Sequence, residues 1–200
     1  MKKKIISCFV ICVVIVLSYF YAHIDKNSYI YNRNADTGTF YSTGILEEGE
    51  EIMQSFIAEE DAIDGINIKV SMAGNVEKVV VKYAILDENA TKLYEGTIPA
   101  VQLEGNKFNQ LEVEKIEDTK GKTYTLVLSA ENANEQNGVA FYLEPGRYFE
   151  QKLMIKGNET DGTIVMRSIC HRFDVETFVV LLGMVAFVTG FMKVLYKLFK

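Results

Sequence analysis

Ile66-Asn67-Ile68-Lys69-Val70-Ser71-Met72 decides the fold, because its apolar and polar side chains alternate without a break. A period of two puts Ile66, Ile68, Val70 and Met72 on one face and Asn67, Lys69 and Ser71 on the other. That is the mark of a half-buried strand, since a helix would scatter the same residues around its axis. The period recurs outward in both directions. Tyr124-Thr125-Leu126-Val127-Leu128 and Leu111-Glu112-Val113-Glu114 alternate, and Val79 to Leu86 is apolar on both faces, as an interior strand requires. Ile52 to Ile57, Thr91 to Ile98, Val139 to Leu143 and Thr163 to Arg167 complete the set. Asp64-Gly65, Ala73-Gly74-Asn75, Asp87-Glu88-Asn89, Glu104-Gly105-Asn106, Lys120-Gly121-Lys122, Gln136-Asn137-Gly138 and Glu144-Pro145-Gly146 supply the turns between them. Short strands at this spacing predict an all-β, antiparallel sandwich over residues 51–145. Ala100 to Glu104 has room for one helical turn. The flanks, 23–50 and 146–176, are expected to be stalks that add edge strands.

The succession Glu51-Ile52-x-Gln54-Ser55-Phe56, Gly65-Ile66-x-Ile68 and Tyr83-x-Ile85-Leu86-Asp87 opens a resemblance. It continues through Phe108, Lys120-Gly121-Lys122-x-Tyr124-x-Leu126-x-Leu128-Ser129 and Gly138-Val139-Ala140-Phe141-Tyr142. In these positions the chain resembles the jelly-roll, carbohydrate-binding-module-like ectodomains of bacterial membrane proteins, often those of surface-polysaccharide assembly. The resemblance implies a jelly-roll-like sandwich outside the cell. It covers about half of the chain and lies in strand and turn positions, which specify a fold rather than a reaction.

Beyond the stalks the composition changes. The chain has 200 residues and a net charge of −6, yet all 27 acidic residues fall between Asp25 and Glu176. Of the 21 basic residues, three open the chain (Lys2, Lys3, Lys4) and three close it (Lys193, Lys197, Lys200). Ile5 to Ala22 carries no charge, and Phe178 to Leu195 carries only Lys193, near its end. About 18 residues at 1.5 Å each span close to the hydrocarbon thickness of a bilayer, so two transmembrane helices are predicted, 5–22 and 177–195. Tyr19, Phe20 and Tyr21, and Tyr196 and Phe199, stand where a membrane interface favours aromatic rings. The flanking lysines place 1–4 and 196–200 in the cytoplasm and the acidic middle outside. Short cytoplasmic tails leave no room there for a signalling or catalytic domain. The alternative for the first span is a cleaved signal peptide, with Met1 to Lys4 as its basic region and cleavage after Ser18. Cys8 and Cys12 on one helix, and Ala186 and Gly190 on the other, have the spacing of four that puts small residues on one face. They lie at matching depths, so a small-residue seam between antiparallel helices is predicted.

Chemistry-bearing groups are few. His23 and His171 are expected as boundary residues of the spans rather than metal ligands, and Cys170 as a free thiol, because no second cysteine lies in the middle of the chain. The acid runs Glu47, Glu48, Glu50, Glu51 and Glu59, Glu60, Asp61, Asp64 lack the ordered spacing of a calcium loop and suit a solvated surface. Phosphate loops, nucleophile elbows and HExxH helices are missing from the sequence, and the acidic charge argues against nucleic acid. Gln54, on the face of Ile52 and Phe56, must find a hydrogen-bond partner at the core edge. Tyr94 and Tyr142 are the candidate sugar platforms. The expectation is a non-catalytic, membrane-anchored recognition module without cofactor or metal. Its partners would be the membrane and a glycan or a polytopic membrane protein such as a glycan-assembly enzyme. A regulatory subunit of a membrane complex is the alternative, and an extracellular hydrolase the more distant one.

Overall fold

A computed structural model describes residues 2–146 and 151–199, with side chains from Phe9 onward. In chain order the elements are α1 (Lys2–Tyr21), β1 (His23–Tyr29), β2 (Tyr41–Ile45), β3 (Glu51–Ile57), β4 (Ala62–Ala73), β5 (Val80–Leu86) and β6 (Lys92–Pro99). They continue with β7 (Phe108–Glu117), β8 (Thr123–Glu131), β9 (Gly138–Glu144), β10 (Leu153–Ile155), β11 (Asn158–Thr160), β12 (Thr163–Ile164), β13 (Met166–Phe173) and α2 (Val175–Leu198). The predicted helical turn is a short 3-10 turn at Ala100–Gln102. The chain forms two compact units, Asn27–Cys170 and a second made of 1–26 with 171–200.

The larger unit is two antiparallel sheets. One runs β1-β13-β4-β9-β12, with β2 beside β9 and β7 beside β4; the other runs β11-β10-β3-β8-β5-β6. Alternation does what the sequence demands of it. Ile66, Ile68 and Val70 of β4, Leu111 of β7 and Phe141 of β9 are buried, as are Ile52 and Phe56 of β3, Val81 and Ile85 of β5, and Leu126 and Leu128 of β8, all in one core. The expected interior strand at 79–86 does lie inside its sheet, between β8 and β6. Its second face is nevertheless half-covered, and Lys82 there is exposed.

The flanks differ from the stalks expected at 23–50 and 146–176. They supply β1, β2 and β10 to β13, and β13 lies inside the first sheet, between β1 and β4. The apolar content explains this: Ile164, Val165, Met166 and Ile169 are all buried and need the core. The single strand expected over Thr163 to Arg167 divides at Val165. Thr163 and Ile164 pair with Glu144 and Leu143 of β9, whereas Met166 to Ile169 pair with Ile68 to Gly65 of β4. Val165 joins both partners, its N–H donating to Tyr142 O at 2.8 Å and its carbonyl accepting from Lys69 N at 3.0 Å.

Two side chains tie the sheets together. Gln54 of β3, completely buried, accepts from Ile164 N of β12 at 3.0 Å and donates to Ser55 O at 2.9 Å. This is the partner that its position on the core face required. Tyr83 of β5 donates its hydroxyl to Glu112 O of β7 at 2.8 Å. Burial, with the neighbouring Tyr94 adding to it, pushes the Tyr83 phenol up to about 12. A folded value above the unfolded one, near 10, means the stabilisation is complete below about pH 10 and disappears as the pH rises through 12. Phenolate absorbance should therefore show one tyrosine ionising late, with sandwich stability falling in that window. In Tyr83→Phe both the late step and its share of the fall should vanish.

In the smaller unit α2 is long and apolar enough to cross a membrane, and none of its residues is buried. Asp174 caps its start by accepting from Thr177 N at 3.1 Å. Phe9–Tyr21 of α1 is a shorter apolar run.

Candidate functional site

On β4 the residues between the core positions, Asn67, Lys69 and Ser71, face away from the second sheet. Register builds a row across them. Lys69 stands opposite Phe108 of β7, and the β9 pairing that sets Val70 against Phe141 brings Tyr142 to its other side. Tyr142 in turn pairs with Ser42 of β2. A parallel row places Asn67 between Gln110 of β7 and Arg167 of β13. The segment after β1 adds Tyr31 and Phe40 to the same surface, with Arg33 at its edge.

The outcome is a continuous ladder of rings and cations. Arg33 lies 5.1 Å from the Tyr29 ring centre, and Arg167 lies 5.8 Å from Tyr29 and 4.5 Å from Phe108. Phe108 stacks on Tyr31 at 6.4 Å, and Tyr31 meets Phe40 edge-on at 5.8 Å. Lys69 completes it, 5.7 Å from Phe40 and 4.7 Å from Tyr142. A cation over a ring face is held by the ring quadrupole without being neutralised. Tyr31 shows the surroundings: burial raises its phenol pKa and Tyr29 adds to that, while Arg167 and Arg33 pull the other way. The Tyr142 hydroxyl donates to Asn106 Oδ1. Arg167 Nε is buried and meets no acceptor among the described residues, which is costly unless something else satisfies it.

Of the two candidate platforms, Tyr142 is in this ladder and Tyr94 is not. Tyr94 is half-buried against the core, its ring 6.1 Å from that of Tyr83. Tyr29, Tyr31, Phe40, Phe108, Arg33, Lys69 and Arg167 were not anticipated. Ser28-Tyr29-Ile30-Tyr31-Asn32-Arg33 did carry a readable signal, since it alternates with its rings on one side and a cation following them.

The other sheet carries an open trough of about 630 Å³ between β3, β8, β5 and β6. Its lysines are already matched, Lys82 with Glu131 at 2.5 Å and Lys92 with Glu95 at 2.6 Å. Tyr83 also lines it, but its hydroxyl is committed to Glu112 O. The trough offers a ligand less than the ladder does.

In the smaller unit Cys12, Ala186 and Gly190 are exposed, and a Cβ added at Gly190 would meet nothing within 4 Å; the side chain of Cys8 lies outside the described residues. Ser18 and Ala22 are buried, Asp174 N donates to Ala22 O at 2.8 Å, and the Phe173 ring lies 5.4 Å from Tyr19 and 5.2 Å from His23. His171 Nδ1 sits 2.5 Å from Asp25 Oδ1, while His23 Nδ1 sits 2.9 Å from the Tyr19 carbonyl. Each histidine thus has its own partner. The described residues contain no cluster of three or more potential metal ligands. Cys170 is buried. The first acid run is partly engaged, with Glu50 held by Lys156 at 2.8 Å.

No protein-family model matches the chain, and neither does any curated protein. Among solved structures it is similar to the cysteine protease and lectin-like domains of Cwp84, a surface-layer-associated protein of Clostridium difficile. The identity is 14% over 68% of this chain and 36% of that one, with a TM-score of 0.40. A second structure of that clostridial protease, after propeptide cleavage, gives 14% identity over 68% of this chain and 41% of the other, with a TM-score of 0.38. The infectious bursal disease virus VP2 subviral particle gives 10% identity, 73% and 40% coverage and a TM-score of 0.30. The chain therefore spans well under half the length of the solved chains it matches.

Proposed function

We propose that this chain is a non-catalytic recognition module of a bacterial cell envelope. It displays a jelly-roll-like sandwich outside the membrane on two transmembrane helices and binds a surface polysaccharide. The observation that carries the binding reading is the ladder from Arg33 to Tyr142: eight ring and cationic side chains from five parts of the chain share one sheet face that the core does not use. Packing inside the sandwich has no need of them there. Rings beside amides and cations are how proteins commonly grip a polyhydroxylated ligand.

The membrane reading is supported by the helices themselves. Along α2, Val179, Met184, Phe187, Phe191 and Met192 are all more than half exposed, as are Phe9 and Leu17 of α1. Water would not tolerate a surface that is apolar on every side, whereas lipid favours it. The lysines at the outer ends of both helices suit a cytoplasmic location for the two termini.

The test uses the full chain in lipid nanodiscs, probed with a panel of bacterial wall and capsular polysaccharides. Retention of at least one polymer is expected, with Tyr142→Ala weakening it by about tenfold, the scale of one lost ring contact. A panel that stays blank, or binding indifferent to Tyr142, would remove the recognition reading.

A further inference from the structure

Lys69, Arg167 and Arg33 differ from six other cations of this protein. Lys82, Lys92, Lys107, Lys115, Lys152 and Lys156 each lie against a carboxylate. That is the expected fate of a cation in a chain with 27 acidic and 21 basic residues. The three ladder cations have aromatic partners instead, and among the described residues no carboxylate closes on any of them. Among the described residues, positive charge on this face is thus held in place by rings, with no carboxylate against it.

From this juxtaposition we infer that the ligand is an acidic polysaccharide, its anionic groups meeting Lys69 and Arg167 across the outer face of β4. The inference rests on the recognition reading above and names the chemistry of its ligand. Three physical points carry it. An arriving anion meets no ion pair among the described residues that must first be broken, so it gains the cations without the cost of releasing them. The rings restrict where the cations can go, which lowers the ordering cost on binding. The row Phe108, Lys69, Tyr142, Ser42 crosses four strands, about 14 Å at the usual strand spacing, which suits a polymer better than a single sugar. Gln110, exposed in the neighbouring row, can exchange hydrogen bonds with hydroxyl groups.

The experiment uses the full chain in nanodiscs of zwitterionic lipid, with polygalacturonate as the probe and its fully methyl-esterified, uncharged form as the comparison. Polygalacturonate should bind at least about tenfold more tightly, and the preference should shrink on going from about 0.05 M to about 0.5 M salt, because screening removes the long-range attraction. Lys69→Gln and Arg167→Gln should each lose at least about fivefold, and Lys69→Arg, which keeps the charge, should lose little. Circular dichroism of each variant shows that the sheets persist. Equal binding of both forms overturns the acidic inference, and so does equal damage from Lys69→Arg and Lys69→Gln. A chain that ignores polygalacturonate yet retains a neutral polymer of the panel loses this inference alone. One that retains nothing loses the recognition reading with it.

Discussion

Gly96→Ala is expected to lower the thermal midpoint of the sandwich by about 10 °C, the equivalent of roughly 3 kcal/mol in a domain of this size. Gly96 of β6 pairs directly with Tyr83 of β5, and the Tyr83 ring lies across it. A Cβ at Gly96 would stand 2.5 Å from Tyr83 Cζ and 2.5 Å from its hydroxyl oxygen, closer than real atoms approach. The ring cannot swing aside cheaply, because Tyr83 is only 6% exposed and its hydroxyl is committed to Glu112 O. Overpacking of this kind strains whatever yields first, ring or strand. The check is a double-mutant cycle followed by thermal circular dichroism. In a Tyr83→Leu background the Gly96→Ala change should cost less than half as much, since its obstacle is gone. An undiminished cost would place the damage in the backbone of β6 and refute the steric account.

Gln54→Leu should cost about 2–3 kcal/mol through a different mechanism. Leucine fills much of the same volume, so a cavity is not the main loss. What disappears is the acceptor for Ile164 N, in a place where no water competes: Gln54 and Ile164 are both 0% exposed. The Ser55 carbonyl also loses its donor. A buried donor left without a partner carries its whole desolvation penalty, which exceeds the net worth of an ordinary hydrogen bond. Because the bond joins β3 of one sheet to β12 of the other, hydrogen exchange at Ile164 should accelerate more than exchange at Leu126, deep within β8. Uniform acceleration at both amides would mean that Gln54 matters only as filler.

These two positions were not equally legible. Gln54 could be marked from sequence because a polar residue on the face of Ile52 and Phe56 violates the alternation, and buried polar groups need partners. The identity of its partner, 110 residues later, could not. Gly96 lies inside a strand pattern, where a missing side chain signals a close approach but not by what. The same division holds for the strands. Alternation located the cores of β3 to β9, since a period of two is a local property. In the flanks it found only Thr163 to Arg167 and missed β10 and β11, which have three residues each and are strands only through their pairing.

The site was the least legible part. Tyr142 stood out as a ring on the outward face of its strand, but a ring alone does not distinguish a platform from a boundary residue. Tyr94 looked equivalent and proved to lean on the core. What separates them is the company each keeps, and the neighbours of Tyr142 come from positions 42, 69 and 106. No window on the chain contains that set. It exists only after β4, β7, β9 and β13 have lined up.

The pairing of Met166–Ile169 with Gly65–Ile68 also sets a timetable. A ribosome making this chain produces one edge of β4 about a hundred residues before the strand that will cover it. Until then the longest strand of the protein presents bare amides and carbonyls to any neighbour, and contacts this distant in sequence close slowly. The sandwich therefore cannot finish before β13 has emerged. It must wait until β13 has been made, so a holding factor would have the most to protect in that interval.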